Sequence, residues 1–576
     1  MNKLTYKLPD NLASAVQGTL ADWKKGDKVK RLWAGDATLW TNQDESKWTG
    51  WLTEPDKPIS NDTRYSDYQK LAEDIQKAGF THAVLLGMGG SSLCVEVFEK
   101  TYGKIESHPQ MRVLDSTDPA QIRTVERSID IAKTVFIVAS KSGSTLEPNI
   151  FKEYFYDLVS KAVGAGEAGK RFIAITDPGS HMQTVAEQGG FRAIFYGVPS
   201  IGGRYSALSN FGKVPAAIQG VDLAKFLANV DKMMKACGAS VVADQNPGAI
   251  LGAILGTLQK TGRDKVTIFT SAGISDLGAW LEQLLAESTG KQGKGLIPVD
   301  LETIGAPEVY GTDRIFAYLR LENSSDAKLD AAVSALEKAG HPVVHIAVGD
   351  TYELGEEFYR WEIATAVAGS VIGINPFNQP DVEASKIETR KLTDQYEKEG
   401  KLPAEAPFFE DKGFKLFSDP KNAEALKAAA GPNPTLVSYL KAHLSRIKPN
   451  DYFALLAYIE RNDEHKKSLQ VSRLAVRDKK RVATCLGFGP RFLHSTGQAY
   501  KGGPNSGVFL QVTCDDASDL KVPGHSYTFG IVKAAQARGD FQVLADRGRR
   551  ALRVHLSADV AAGLAGLQQA IAEALS

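Results

Sequence analysis

The sequence predicts an α/β protein built on parallel sheets, and three observations carry that expectation. Short apolar, β-branched runs recur from Thr81 onward, each followed by an amphipathic stretch of helical length. Two of these runs end in turns dense with glycine and hydroxyl groups, Gly87-Met88-Gly89-Gly90-Ser91-Ser92 and Ser140-Lys141-Ser142-Gly143-Ser144-Thr145. At 576 residues the chain also exceeds the usual size of one hydrophobic core, so two or more domains are expected. Strand–helix alternation of this kind covers a sheet on both faces and so implies parallel strands.

Composition narrows the function classes. An apolar content of 43% and a charged content of 24% describe an ordinary globular protein. Formal net charge is zero with no long basic run, so no nucleic-acid partner is expected. The N-terminal Met1–Lys7 lacks the apolar core of a signal peptide and no apolar span reaches membrane length, so the expectation is a cytoplasmic protein without a membrane partner. Cys94, Cys237, Cys485 and Cys514 are scattered with no CxxC pairing, which argues against structural zinc and a disulfide framework.

Taken in order, residues 1–60 carry Trp23, Trp33, Trp40, Trp48 and Trp51 and read as an N-terminal arm. Residues 61–235 read as a first domain, with buried strands at Ala83–Leu86, Met111–Leu114, Thr134–Ala139, Arg171–Thr176 and Ala193–Tyr196. Leu93–Tyr102, Ile150–Ala162 and Met182–Glu187 read as the helices between them. Helical material around Asp222–Gly262 leads into a second domain, 236–576, with strands at Val266–Thr270, Leu296–Leu301, Ile315–Leu321 and Val343–Val348. A Lys/Glu/Ala/Pro-rich insertion is expected around 400–480. A C-terminal α/β segment follows, with strand-like runs at Tyr452–Tyr458, Val482–Leu486, Val508–Val512 and near Phe529–Val532.

The turn after Thr134–Ala139 brings four hydroxyls, a glycine and a lysine to the start of a helix. Free N–H groups and the positive end of the helix dipole meet there, which suits a phosphate dianion. Ser144 and Glu147 have capping-box spacing, but a cap accounts for neither Ser140, Ser142 nor Thr145. Gly87–Ser92, with Asp115 ending the next strand, also raises a nicotinamide-dependent dehydrogenase, although Ser92 stands where that motif needs its third glycine. Gly202-Gly203-Arg204 places an arginine on a turn that a ligand can approach closely. Gln283 and Glu287 share one face of a helix over Leu277–Ser288. Gln379 and Lys386 lie at and just inside a helix entered through Asn375-Pro376-Phe377-Asn378-Gln379-Pro380, and His494 sits in a polar loop after a strand.

Together these segments resemble the phosphoglucose isomerase (glucose-6-phosphate isomerase) family, whose fold has two sugar-isomerase (SIS) domains. Residues 81–90 with Ser91 look like its first sugar-binding loop, Ser140 to Thr145 like its phosphate cup and Gly203-Arg204 like its Gly-Arg pair. Gln283 through Lys291 looks like its Glu-Ser-Asn-Gly-Lys signature, and Gln379 with Lys386 matches its late Gln and Lys. Leu32-Trp33-Ala34-Gly35-Asp36 and Leu493-His494-Ser495-Thr496-Gly497 look like the isomerase half of bacterial bifunctional transaldolase/isomerases. No transaldolase barrel fits ahead of residue 60, so the isomerase alone is expected. One departure stands out: the family's ring-opening histidine lies between the catalytic Glu and Lys, whereas His494 follows Lys386.

The resemblance implies interconversion of glucose 6-phosphate and fructose 6-phosphate, a step of glycolysis and gluconeogenesis, with no metal or redox cofactor and with a homodimer expected. Catalytic roles fall to Glu287, Lys386, His494 and Arg204. Substrate binding falls to Gly90, Ser91, Ser140, Lys141, Ser142, Gly143, Ser144, Thr145, Gly203, Gln283 and Gln379. Isomerisation of another phosphosugar, such as mannose 6-phosphate, and a non-catalytic phosphosugar regulator are the alternatives.

Overall fold

The computed structural model describes residues 1–56, 59–60 and 63–576. Residue 61, where the sequence reading starts its first domain, lies with residues 57, 58 and 62 outside the described residues.

The first sheet has five parallel strands, His82–Gly87, Gln110–Leu114, Thr134–Ala139, Phe172–Thr176 and Ala193–Tyr196. Side by side they run second, first, third, fourth, fifth. The run Thr134–Ala139 is buried along its whole length, as an uninterrupted apolar strand between helices must be. Strand order reverses between His82–Gly87 and Thr134–Ala139, so the connections leaving these two strands cross to opposite faces and open a crevice at their carboxyl ends. The two turns rich in glycine and serine leave from those two ends.

The second sheet repeats this winding with Lys265–Thr270, Ile297–Val299, Arg314–Leu321 and Val343–Val348. Its outer edge is closed by Lys3–Lys7, which pairs antiparallel to Val343–Val348 with Lys3 opposite Ala347. That strand was read only as part of an arm; an exposed strand edge is a liability, and this short, Lys-flanked strand covers it. One apolar core runs from Leu85 and Ile137 of the first sheet to Val266 and Ile315 of the second, and takes in Trp23 and Trp51. Trp51 stacks on Tyr205 at 5.0 Å between centroids, and both lie against Phe377. Each such pair adds roughly 0.5–1.5 kcal/mol beyond its buried area, so the tryptophan-rich arm props the two loops that carry Arg204 and Gln379.

Residues 409–556 form a third sheet with its own core, and this departs from the expected insertion. Parallel strands Tyr452–Tyr458, Ala483–Phe488, Gly507–Cys514 and Arg550–Leu556 again run second, first, third, fourth. A hairpin, Phe409–Asp411 with Phe414–Phe417, extends the last edge. The stretch around 400–480 thus builds the sheet that the C-terminal segment completes. Phe529–Val532 is the first turn of a helix, Phe529–Asp546, whose N-cap Thr528 hydroxyl accepts from Ile531 N–H; a four-residue apolar run reads equally well as strand or helix. Arg550–Leu556 escaped the strand reading because Arg550, Arg553 and His555 interrupt its apolar pattern.

Buried charges clamp the third sheet to the first. Glu96, on helix Leu93–Tyr102, accepts from Arg461 (2.5 Å) and from Arg491. Lys533 bridges Asp118 (2.8 Å) and Asp516 (2.5 Å). Among the described residues no helix is long and apolar enough to cross a membrane.

Burial alone would raise the Glu96 pKa, but the two guanidiniums outweigh it and hold the carboxyl far below the ordinary glutamate value of 4.5. A depressed carboxyl stabilises the fold fully above that ordinary value, and the contribution is lost as pH falls below it toward the folded pKa. Glu96→Gln, which strands two buried guanidiniums, is expected to cost about 3 kcal/mol in urea unfolding at pH 7. The difference from wild type should shrink as the pH is lowered below 4.5.

Candidate active site

The crevice at the strand reversal holds the cup. Its helix, Leu146–Val163, has Thr145 at the N-cap with no side-chain cap hydrogen bond, so the capping-box reading of Ser144 and Glu147 fails. No side chain caps the N–H groups of Leu146 and Glu147 that open the helix, while Pro148 after them carries none. Ser142 and Ser144 hydroxyls lie 3.0 Å apart, and Ser140, 2% exposed, keeps a buried hydroxyl without a partner. Gly143 has φ +71°, and a Cβ there would stand 2.5 Å from Met182 N, so only glycine lets the turn close. Lys141 does not point freely into the cup. Its ammonium pairs with Asp177 and reaches toward the Val198 and Pro199 carbonyls.

Arg204 is 2% exposed and fully engaged. Nε donates to Ser288 Oγ (2.7 Å), Nη1 to Gln379 Oε1 (3.0 Å), and Nη2 to the carbonyls of Pro376 (2.7 Å) and Asn378 (3.0 Å). Nη1 also lies 3.7 Å from Glu287 Oε1. The guanidinium is therefore a fixed charge beside that carboxylate. Glu287 stands in the last turns of helix Leu277–Thr289, and the Gln283 amide one turn earlier donates to its Oε2 (3.0 Å). The same amide nitrogen donates to the backbone carbonyl of His494 (2.7 Å).

His494 arrives from the third sheet, in the turn Arg491–His494 that follows strand Ala483–Phe488. Its Nε2 lies 3.0 Å from Glu147 Oε1, which also accepts from Gln536 Nε2 (2.6 Å). Burial pushes the Glu147 carboxyl up, but the charge and hydrogen bond of His494, with Lys386 further off, hold it below the ordinary value. An ionised Glu147 accepts a hydrogen from His494 Nε2. Sequence reasoning missed Glu147 because its spacing from Ser144 imitated a cap; its place inside the cup motif was the available signal. Lys386, on helix Pro380–Glu399, is looser: its side chain is 42% exposed and pairs at 2.6 Å with Glu383.

Ser140, Lys141, Ser142, Thr145, Arg204, Gln283, Glu287, Lys386 and His494 line one cavity of about 450 Å³, together with Gly90, Ser91, Gly203 and Gln379; Gly143, Ser144 and Glu147 do not. Ser144 borders an adjoining cavity that Ser142, Thr145, Lys386 and His494 share. Gly90 lies against Gly203, where a Cβ would collide with the Gly203 carbonyl oxygen. The volume falls in the range of small-ligand sites. A dinucleotide reading loses its acid: Asp115 accepts from Ser92 Oγ (3.1 Å), lies 3.2 Å from Arg491 Nε and is 4% exposed. Among the described residues no group of three or more His, Cys, Asp and Glu side chains is placed to hold a metal ion.

Residues 73–311 match the family described as phosphoglucose isomerase. Over 400 residues, the chain is 28% identical to the glucose-6-phosphate isomerase of Parabacteroides distasonis, covering 61% of this chain and 88% of that one. The Enterococcus faecalis glucose-6-phosphate isomerase is 26% identical over 388 residues, 59% of this chain and 85% of that one. Among solved structures, a hypothetical protein from Thermus thermophilus superposes with a TM-score of 0.57 at 22% identity, covering 68% of this chain and 99% of its own. A glucose-6-phosphate isomerase from Chlamydia trachomatis gives 0.51 at 21%, covering 64% and 78%. These two share the fold. The family match spans the cup, Arg204 and Glu287, whereas Lys386 and His494 lie beyond it.

Gly90→Ala is expected to force the two glycine turns apart, at a cost of about 1–3 kcal/mol by the measure of overpacked sites. Thermal unfolding should show a lower Tm, and a structure of the variant should show Gly203 displaced.

Proposed function

We propose that this chain, a relative of the phosphoglucose isomerases, is an aldose–ketose isomerase that interconverts glucose 6-phosphate and fructose 6-phosphate. The observation that carries the reading is the shared cavity. It sets a phosphate-suited helix start at one end and a carboxylate, a fixed guanidinium and a carboxylate-bound histidine around the rest.

The phosphate is held at Ser140, Ser142 and Thr145 and by the amide groups that open helix Leu146–Val163, while the Lys141 ammonium steadies the turn through Asp177. Binding energy from this non-reacting end serves to orient the sugar. Ring opening requires a proton to leave the anomeric hydroxyl and another to reach the ring oxygen. His494, its Nε2 fixed by Glu147, and the mobile Lys386 are the groups for that exchange. Transfer between C1 and C2 requires one base that removes a proton from one carbon and returns it to the other. Glu287 is the carboxylate in position, held by Gln283 on one oxygen and facing Arg204 with the other. As the proton leaves, negative charge builds on the enediolate oxygens. The Arg204 guanidinium, already locked by four acceptors and paired with Glu287 at 3.7 Å, meets that charge without reorganising.

The substrate is a hexose phosphate, and its end product is read by a coupled assay starting from fructose 6-phosphate with each aldose resolved. Predominant formation of mannose 6-phosphate would redirect the assignment.

Glu287→Gln keeps the Gln283 contact but removes the base. It is expected to lower kcat on the order of 10²–10⁴-fold while fructose 6-phosphate still binds by calorimetry; near-normal turnover would remove Glu287 from the chemistry. Ser142→Ala with Thr145→Ala should act mainly on KM. His494→Ala should slow the cyclic sugar more than an open-chain substrate, and Glu147→Gln should follow the same pattern more weakly. Equal losses on both substrates would assign His494 another role.

A further inference from the structure

A second crevice lies at the carboxyl ends of the third sheet, between the strands and helix Phe529–Asp546. It is a cavity of about 370 Å³, separate from the one described above, and Tyr458, Thr513 and Cys514 bring to it the ends of the two strands at which strand order reverses. Ligands of open α/β sheets bind outside carboxyl ends at such a reversal. Arg553 and His555 enter from the last strand, Lys415 from the hairpin opposite and Arg538 from the helix. Lys533, also at its wall, is already satisfied by Asp118 and Asp516.

Arg553 and Arg538 are under-supplied with counter-charge. Both guanidiniums converge on a single oxygen, Glu405 Oε2, at 2.6 Å from Arg553 Nη2 and 2.9 Å from Arg538 Nε. The Arg553 side chain is 4% exposed, yet its Nε finds no hydrogen-bond partner. A buried guanidinium donor left open is costly, and burial lowers the Arg553 pKa despite Glu405. Lys415 lies across from His555 in the strand register and adds a further cation to this wall. Glu405 itself is 40% exposed, on the strand-free stretch before the hairpin, so its carboxylate can leave without unmaking the core.

We propose that this crevice is a binding site for a small metabolite bearing a phosphate or carboxylate group, whose oxyanion takes the place of the Glu405 carboxylate between Arg538 and Arg553. A ligand oxyanion supplies two or three acceptor oxygens where Glu405 uses one, and can satisfy the open Arg553 Nε together with the guanidinium fork. Glu405 then acts as the resident competitor, and the site's affinity is set by the difference between the two anions.

Inorganic phosphate and citrate, titrated separately by calorimetry into the full chain, separate the phosphate source from the carboxylate source. The Ser142→Ala/Thr145→Ala variant, with its cup weakened, should retain one binding event. Glu405→Gln should tighten that event by about tenfold and Arg538→Met should weaken it by about tenfold or more, as charge-assisted hydrogen bonds are lost or freed. Arg538 is partly exposed; if its replacement fails to fold by circular dichroism, the Glu405→Gln arm decides alone. Binding of neither anion in the cup-weakened variant, or an affinity indifferent to Glu405→Gln, would overturn the proposal.

Discussion

One amide nitrogen ties the proposed catalytic end of the site together. Gln283 Nε2 donates both to the Glu287 carboxylate and to the backbone carbonyl of His494, so the proposed base and the proposed ring-opening histidine share one support. Gln283 is 3% exposed, which leaves it no water to trade for either bond. Gly89 must approach the His494 carbonyl closely for this to work, since a Cβ there would stand 2.7 Å from that oxygen. Gly89 of the first turn is therefore needed for the docking of His494. A buried polar group that satisfies two partners at once rigidifies both.

Arg204 plays the same part for the loops. Its five contacts join helix Leu277–Thr289, the loop before helix Pro380–Glu399 and its own turn. Such saturation is expensive to assemble but leaves the charge immobile, which is what electrostatic stabilisation requires. Lys386 is its opposite: its side chain is 42% exposed, against 2% for Arg204 and 10% for Glu287, and pairs only with Glu383.

Much of this was legible in the residues. The parallel strands of the first two sheets announced themselves as apolar runs, because strands covered on both faces must be apolar throughout, whereas the antiparallel edge strand Lys3–Lys7 did not. The cup was legible because a helix start that binds anions needs hydroxyls and a positive-φ glycine in close succession. What escaped was written in long-range pairing. Glu147 has the spacing of a cap, and only its contact with His494, 347 residues away, gives it another meaning. The third sheet was obscured because Arg553 is buried in a strand, and because the hairpin before it, Phe409–Phe417, is short and flanked by Lys, Glu and Pro. Lys141 looked like a ligand cation until Asp177, on the next strand's turn, claimed it.

The order in which these parts leave the ribosome matters, because the cup, Glu287 and Lys386 all precede His494 and the strand Arg550–Leu556 completes the sheet that presents it. Domains generally fold as units during synthesis, N-terminal first. A nascent chain with its first two sheets in place carries the proposed phosphate cup but lacks His494 and the Gln536 that braces Glu147. On the proposed assignment, the sheet synthesised last is the one that supplies the histidine and its support.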